Sequence, residues 1–368
     1  MILVYVDDIL VFAKEPKLTM DELGKLFELK PESVKEPDIY LGANMKKVQL
    51  PDGRVEWAMG SRSYVKNAIK VVKALIAEDD PDSKLKTTAC NPFPTGYKPE
   101  LDVTPELKDE LGSRFLQLIG ILRWAIELGR LDIFVKLAQL SQHQASPRRG
   151  HLEAIYHIFA HLKKHETGAR IVFDPKTLLS MNACSIRRPT GVTSTGTYLK
   201  KMPLNMPEWK GKSVVVSFFV DANHAGNVIT RRSHTGILIY VQNAPNIWFS
   251  KRQNTVESSS FGCEYVALRT AKDMIVALRY KLRMFGVPID GPANVFCDHI
   301  GVVKNTTIPE SMLAKKHNAI NYHAIREAVA ALILRIGKED GMTNLADLFT
   351  KVLMVDRHRA LCRHISKY

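Results

Sequence analysis

Four carboxylates in the last third of this 368-residue chain constrain it more than any other feature. Asp221 ends the apolar run VVVSFFVD, Glu264 lies in SSSFGCEYVAL, Asp298 in NVFCDHIG and Asp347 in NLADLFTK. Each sits at the end of a strand-like run or near the start of a helix-like one. A carboxylate closing a buried apolar strand is costly unless it is paired or metal-bound. Taken singly, each has a plain explanation. Asp221 can start a turn with Asn223 and Gly226, and Glu264 and Asp347 can be first-turn acids favoured by the helix dipole. Taken together, in this order and on these element types, they are expected to share one site. A carboxylate set without a His or Cys cluster suits hard, oxygen-loving Mg²⁺ (or Mn²⁺) better than zinc. Two such ions about 3.5–4 Å apart are what a two-metal phosphodiesterase needs, one to activate water and one to stabilise the leaving oxygen.

The surrounding periodicities place these residues on elements. Ala267, Ala271, Met274, Leu278, Leu282 and Phe285 recur at three- and four-residue steps, a helical stripe that shares its face with Glu264. Asp347 is expected in the first turn of a second helix, capped by Thr343 or Asn344. The apolar runs that end at Asp221 and Asp298 are expected to be strands. The Thr-, Gly- and Pro-rich stretch before residue 212 and the segment NPFPTGYKPE at 91–100 read as breaks between domains.

The amino terminus carries a second signature. MILVYVDDILVFAK sets two apolar arms around Asp7-Asp8, adjacent like charges that repel at a hairpin turn unless a cation lies between them. An ordinary acidic turn is the simpler account. His157, His161 and His165 fall at i, i+4 and i+8 on one helix. The metalloprotease pattern needs Glu directly after the first His, and Ile158 stands there. These histidines are expected at the surface or facing phosphate.

Composition limits the classes available. The chain carries 52 basic against 38 acidic residues, a formal charge of +14, which points to a phosphate backbone as partner. Arg231-Arg232 and Lys251-Arg252 flank strands near Asp221 and are the expected nucleic-acid contacts. Further basic pairs occur at Arg148-Arg149, Arg187-Arg188 and Lys200-Lys201. No apolar stretch approaches 18 residues, so no membrane span is expected. Met1–Leu10 lacks a basic leader, so no signal peptide is expected there. Five cysteines, none in a CxxC pair, suit a reducing, intracellular setting, cytoplasmic or nuclear. Composition is silent on oligomeric state.

These motifs resemble a family. VDANHAG, RRSHTGILIYVQNAPNIWFSKRQNTVESSSFGCEYVALRTA, FCDHIGVVKN, AKKHNAINYHAIRE and NLADLFTK are similar to the ribonuclease H domain of copia-type LTR retrotransposon polyproteins. Tyr5-Val6-Asp7-Asp8 resembles the catalytic hairpin of reverse transcriptases. Tyr40-Leu41-Gly42, Leu118-Ile119-Gly120, Asp132-Ile133 and the helix from His151 to Leu162 resemble the stretches that follow it. The chain departs from the family at Asn223-His224 (usually Asp-Trp), Gly262 (usually acidic) and Asn318-Ala319 (usually Ile-Asp).

The resemblance implies an α/β chain in three parts. Residues 1–90 would be a partial palm from the catalytic hairpin onward with the start of the thumb. Residues 91–210 would be a helical thumb and connection region, and 211–368 a mixed five-stranded sheet with helices on both faces, its strands at about 213–222, 235–242, 245–252, 293–298 and 331–336. It implies two Mg²⁺ or Mn²⁺ ions on Asp221, Glu264, Asp298 and Asp347, and hydrolysis of RNA in an RNA–DNA hybrid, recognised through its 2′-OH and shape. The chain starts four residues before the Asp7-Asp8 hairpin motif. The earlier polymerase strand with its further Asp is therefore not supplied, and polymerisation is expected to be lost. The alternatives are a non-catalytic nucleic-acid-binding relic and an active polymerase completed by a partner.

Overall fold

The computed structural model describes residues 2–30, 32, 34–79, 82, 84–86, 89–94, 96–166, 170–176, 207–313 and 316–365. Residues 177–206 of the expected connection, with Arg187-Arg188 and Lys200-Lys201, lie outside the described residues. The chain opens with β1 (Ile2–Tyr5), β2 (Asp8–Val11) and α1 (Pro16–Leu26), followed by β3 (Ile39–Tyr40), β4 (Ala43–Gln49), β5 (Val55–Gly60) and α2 (Arg62–Asp79). A helical stretch follows: α3 (Asp109–Glu127), α4 (Phe134–Leu140) and α5 (Arg149–Lys164), then β6 (Arg170–Val172). The remainder is β7 (Val216–Asn223), β8 (His234–Val241), β9 (Ala244–Arg252), α6 (Ser260–Met284), β10 (Ala293–Cys297), α7 (Ile300–Thr307), α8 (Ala319–Ala330), β11 (Leu334–Lys338) and α9 (Val355–Ile365).

Five of these strands form one mixed sheet in the order β11-β10-β7-β8-β9. β7, β8 and β9 run antiparallel in sequence, and β10 and β11 add in parallel beyond β7. The expected α/β architecture is present, with strand limits within three residues. The largest difference is at β11, expected from about 331. Ala331 caps α8 and Leu332 turns through a φ of 54°, so pairing with β10 starts only at Leu334.

The apolar run of β7 is continuous because both of its faces are covered. Val216, Phe218, Val220 and Ala222 pack with Ala267, Ala271 and Ile275 of α6 and with Tyr322 and Ile325 of α8. Phe219, between them, faces the other way and stacks on Phe296 at 4.8 Å. That second face is not covered by helices of the carboxy-terminal region alone. It packs on Leu118 and Leu122 of α3, Leu137 and Leu140 of α4, and Ile155 and Phe159 of α5, with Leu361 and Ile365 of α9 completing the layer. One core thus runs across both expected domain limits. β6 crosses the first of them as well, pairing with β5 in the four-stranded sheet β3-β4-β5-β6.

The helical stripe lies largely where its spacing puts it. Ala267 and Ala271 are fully buried and Leu278 nearly so, but Phe285 is the C-cap of α6 and is 61% exposed. At the amino terminus, β1 and β2 form a two-stranded sheet of their own, with Tyr5 opposite Asp8 and a turn through Val6 and Asp7. Val6 takes a φ of 51°, an uncommon conformation for a β-branched residue. Ile2, Leu3, Val4 and Tyr5 are exposed.

Candidate active site

Strand register brings two of the four carboxylates together. Cys297 of β10 lies opposite Val220 of the parallel β7, so the following residues, Asp298 and Asp221, emerge side by side at the same sheet edge. Glu264 reaches them from the second turn of α6, whose cap is Ser259 accepting from Gly262 N–H at 3.2 Å. The Ala222 N–H donates to one Glu264 carboxylate oxygen at 3.2 Å. The other, Oε2, is buried without a hydrogen-bond partner among the described residues.

Asp347 arrives on a short 3₁₀ turn, Leu345–Phe349, rather than on the α-helix expected. Of the two candidate caps, Asn344 serves: its Oδ1 accepts from Ala346 N–H and its Nδ2 donates to the Val220 carbonyl, tying the turn to β7. Gly236, paired with Asp221 across β7 and β8, makes this approach possible. A Cβ there would stand 2.6 Å from Thr350 Cγ2 and 2.7 Å from the Ala346 carbonyl oxygen.

The four acids converge. Ligand oxygens of Asp221, Asp298 and Asp347 lie within 4.8 Å of one another, and so do single ligand atoms of Glu264, Cys297 and Asp298, so that Asp298 belongs to both groups. Asp221, Glu264 and Asp347 are buried and Asp298 is half-buried. Burial, then the Asp221 and Asp298 charges, hold the Glu264 carboxyl well above the usual range. Burial and Asp221 raise Asp298, and the same two causes lift Asp347 to about 6. Crowded, desolvated like charges favour protons or a shared cation. The oxygen-rich set and the unpartnered Glu264 oxygen fit a hard divalent ion. The only soft donor in these groups is Cys297, whose thiol burial and Glu264 push well up.

Three neighbours were not anticipated. Lys351 Nζ lies 3.2 Å from Asp221 and 2.6 Å from Asp347. Thr350 Oγ1 donates to Asp221, and Arg357 donates to Asp347. Lys351 stands inside NLADLFTK, four residues after Asp347, and that i, i+4 spacing was the available signal. Gly262, where the resemblance leads one to expect an acid, is instead covered by Glu257, whose Oε2 would lie 2.4 Å from a Cβ at that position.

The basic residues also gather at this edge. Arg252 lies opposite His234 and Lys251 opposite Thr235, while Asn223 of β7 lies opposite His234 on the other side. Arg231 and Arg232 enter β8 from the loop after β7, and Arg231 takes a φ of 56°. Arg231 and Lys251 are exposed, Arg232 and Arg252 partly so, and none of the four forms an ion pair among the described residues. Asp7 and Asp8 lie on the separate exposed hairpin, outside both groups of candidate metal ligands.

The histidines of α5 correct the expectation of a solvent-facing row. His161 is buried and its Nε2 bonds Asp132 Oδ2 at 3.2 Å, while His157 bonds the Asn91 carbonyl at 2.9 Å. The reason is the buried Arg130–Asp132 pair, which draws this helix face inward.

No protein-family model matches the chain. Among curated proteins, it is 27% identical over 354 residues to the retrovirus-related Pol polyprotein from transposon RE1 of Arabidopsis thaliana, covering 95% of this chain and 20% of that polyprotein. The Pol polyprotein from transposon TNT 1-94 of Nicotiana tabacum is 24% identical over 372 residues, with 99% of this chain and 24% of that protein covered. This chain therefore spans about a fifth of the length of the RE1 polyprotein. Among solved structures, the N-terminal RNase H domain of a Mycobacterium tuberculosis protein aligns at TM-score 0.30 and 16% identity, covering 41% of this chain and 98% of that one. LC11-RNase H1 in complex with an RNA/DNA hybrid aligns at TM-score 0.31 and 16% identity, covering 37% and 93%. The homologues of this chain are Pol polyproteins of copia-type retrotransposons, matched over 95% of its length.

Proposed function

We propose that the carboxy-terminal region, residues 211–368, hydrolyses the RNA strand of an RNA–DNA hybrid at a site built from Asp221, Glu264, Asp298 and Asp347. The observation that carries this reading is the meeting of four acids from four separate elements, one with a buried carboxylate oxygen left unpartnered. Two Mg²⁺ or Mn²⁺ ions held there would supply an activated water and stabilise the leaving oxygen. Asp298, common to both groups of ligands, is the natural bridging residue. Glu264 is oriented by the Ala222 N–H, and Asp347 by its capped turn. The exposed Arg231 and Lys251, with Arg232 and Arg252, would hold the phosphates of the hybrid. Asp7 and Asp8 are read as the remnant of a polymerase hairpin with no part in hydrolysis.

Asp221→Asn and Asp298→Asn test the site. Each is expected to lower Mg²⁺-dependent hybrid cleavage by about 10²-fold or more, since the ion's charge stabilisation is worth several kcal/mol. Single-stranded RNA should be left intact. Parent-level cleavage in either variant would remove that residue from the site.

A second reading is favoured by Lys351, whose ammonium already neutralises Asp221 and Asp347. In that case the chain binds the hybrid through its basic edge and does not cut it. Tight binding without cleavage in Mg²⁺ and in Mn²⁺ would establish the relic.

A further inference from the structure

A second cluster of metal-ligating side chains lies away from the carboxylates, between α5 and α9. A cavity of about 200 Å³ is lined by Cys90, His161, His165, His358 and Cys362. Two i, i+4 pairs line it, His161 of α5 with the C-cap residue His165, and His358 with Cys362 on α9. The His161 and His165 rings are 4.6 Å apart, and those of His161 and His358 6.2 Å. Cys362 Sγ lies 3.9 Å from the His358 ring.

The hydrogen bonds set the tautomers. His161 Nε2 lies 3.2 Å from a carboxylate oxygen of Asp132, and His358 Nε2 lies 2.9 Å from the Asp132 carbonyl. Both oxygens only accept, so each Nε2 carries the proton and each Nδ1 presents a lone pair. This carboxylate- or carbonyl-oriented imidazole is the arrangement that supports metal-bound histidine. His161 is 4% exposed, and its Nδ1 makes no hydrogen bond among the described residues; His165 Nε2 is likewise buried and unpartnered. Such orphaned ring nitrogens call for an explanation.

Charge decides which ion fits. Arg359 and Arg363 line the cavity, and Arg130 and Lys136 lie close to His161. Neutral imidazoles alone would leave a divalent ion among these cations. Two thiolates would neutralise it. Cys90 receives a hydrogen bond from Lys164 Nζ at 2.8 Å, which holds its thiol below the ordinary value. Burial lowers His161, brings His165 to about 4 and His358 to about 3, so all three are neutral and ready to ligate at neutral pH.

We propose that this cavity binds one Zn²⁺ through the thiolates of Cys90 and Cys362 and two of the imidazoles of His161, His165 and His358. The soft, borderline donor set selects zinc over the hard ions of the carboxylate site. No three of these donor atoms lie within 4.8 Å of one another in the metal-free chain, so binding requires side-chain rotation to bring them to the about 2.0–2.3 Å that zinc takes. The bound ion staples the carboxy-terminal helix to α5 and to the segment at Cys90, a structural role.

The test uses the full chain, stripped of metal and held in excess Mg²⁺ to occupy the carboxylates. Zn²⁺ is titrated against a chromophoric chelator, and Co²⁺ is used as the optical probe. One tight equivalent is expected, with a thiolate-to-cobalt absorption that falls by half in Cys90→Ser and vanishes in Cys90→Ser/Cys362→Ser. Asp347→Asn should leave both readouts unchanged, and far-UV circular dichroism checks folding. Cys90 is exposed, so the single variant stands even if the double one unfolds. An unchanged cobalt band in Cys90→Ser would overturn the proposal. So would the absence of a tight equivalent, or an equivalent lost in Asp347→Asn.

Discussion

Lys351 has a double character at the candidate site. Against the desolvation that lowers it, Asp221 and Asp347 lift its ammonium above the ordinary value. In the absence of metal it is the one cation that pairs with both carboxylates among the described residues. Lys351→Met should therefore destabilise the metal-free chain by about 1–3 kcal/mol, a loss moderated because the side chain is 38% exposed. Saturating Mg²⁺ should return most of that loss. A thermal melt that is insensitive to the substitution, with and without Mg²⁺, would make Lys351 a bystander. Asp347 gives the matching pH dependence. Burial and the Asp221 charge raise it to about 6 from an ordinary 3.8, despite Lys351 and Arg357. The folded state thus binds this proton more tightly than the unfolded chain. The resulting stability is present in full below 3.8 and is lost as pH rises through about 6. In metal-free buffer, Asp347→Asn should melt higher than the parent above pH 6, with the gap closing toward the acid end. Comparing variant with parent cancels the opposite contribution of buried histidines such as His234, which burial depresses to about 4. A gap that widens on acidification would reverse this assignment.

At the scale of elements, Gly236 decides whether the turn carrying Asp347 can lie against the sheet. Gly236→Ala sets a Cβ against a backbone carbonyl at 2.7 Å, which no rotamer change relieves. The variant should keep its sheet, lose about 1–3 kcal/mol of stability and cleave hybrid poorly, because Asp347 is displaced from Asp221. Full cleavage by this variant would show that Asp347 is dispensable. The contrast with Asp298 explains what was legible in the sequence. Asp298 and Asp221 were legible as the residues that follow two apolar runs, and the parallel pairing of those runs sets them side by side. The stripe of α6 likewise fixes the face that Glu264 shares. Asp347 was legible as an acid near a helix start, but not as part of a 3₁₀ turn, because a five-residue element has no period to read. Thr350, Lys351 and Arg357 were hidden for another reason. Thr350 and Lys351 reach Asp221, 129 and 130 residues away in the chain, and Arg357 reaches Asp347 from 10 residues on, so only the Lys351–Asp347 spacing is that of a helix pair. The buried face of α5 was misread because Arg130 and Asp132, which turn His161 inward, lie about 29 residues before it.

For the molecule as a whole, the continuous core between the helical region and the five-stranded sheet matters most for binding. Phe219, Leu238 and Phe296 of the sheet share one core with Leu118, Leu137 and Ile155 of the helices. The sheet edge bearing the carboxylates therefore sits on a fixed support rather than on a tethered module. Arg231, Arg232, Lys251 and Arg252 lie at that edge, in a chain whose formal charge is +14. Counterion release makes affinity for a hybrid fall steeply with salt, with a slope of about 0.9 per phosphate neutralised on duplex DNA. Arg231→Ala/Arg232→Ala should flatten the plot of log K against log salt by roughly one to two units, in line with one or two lost contacts. Arg359→Ala, in the lining of the α9 cavity, should leave the slope alone. If Arg231→Ala/Arg232→Ala changes nothing while Arg359→Ala flattens the slope, the hybrid lies across α9 instead of the carboxylate edge.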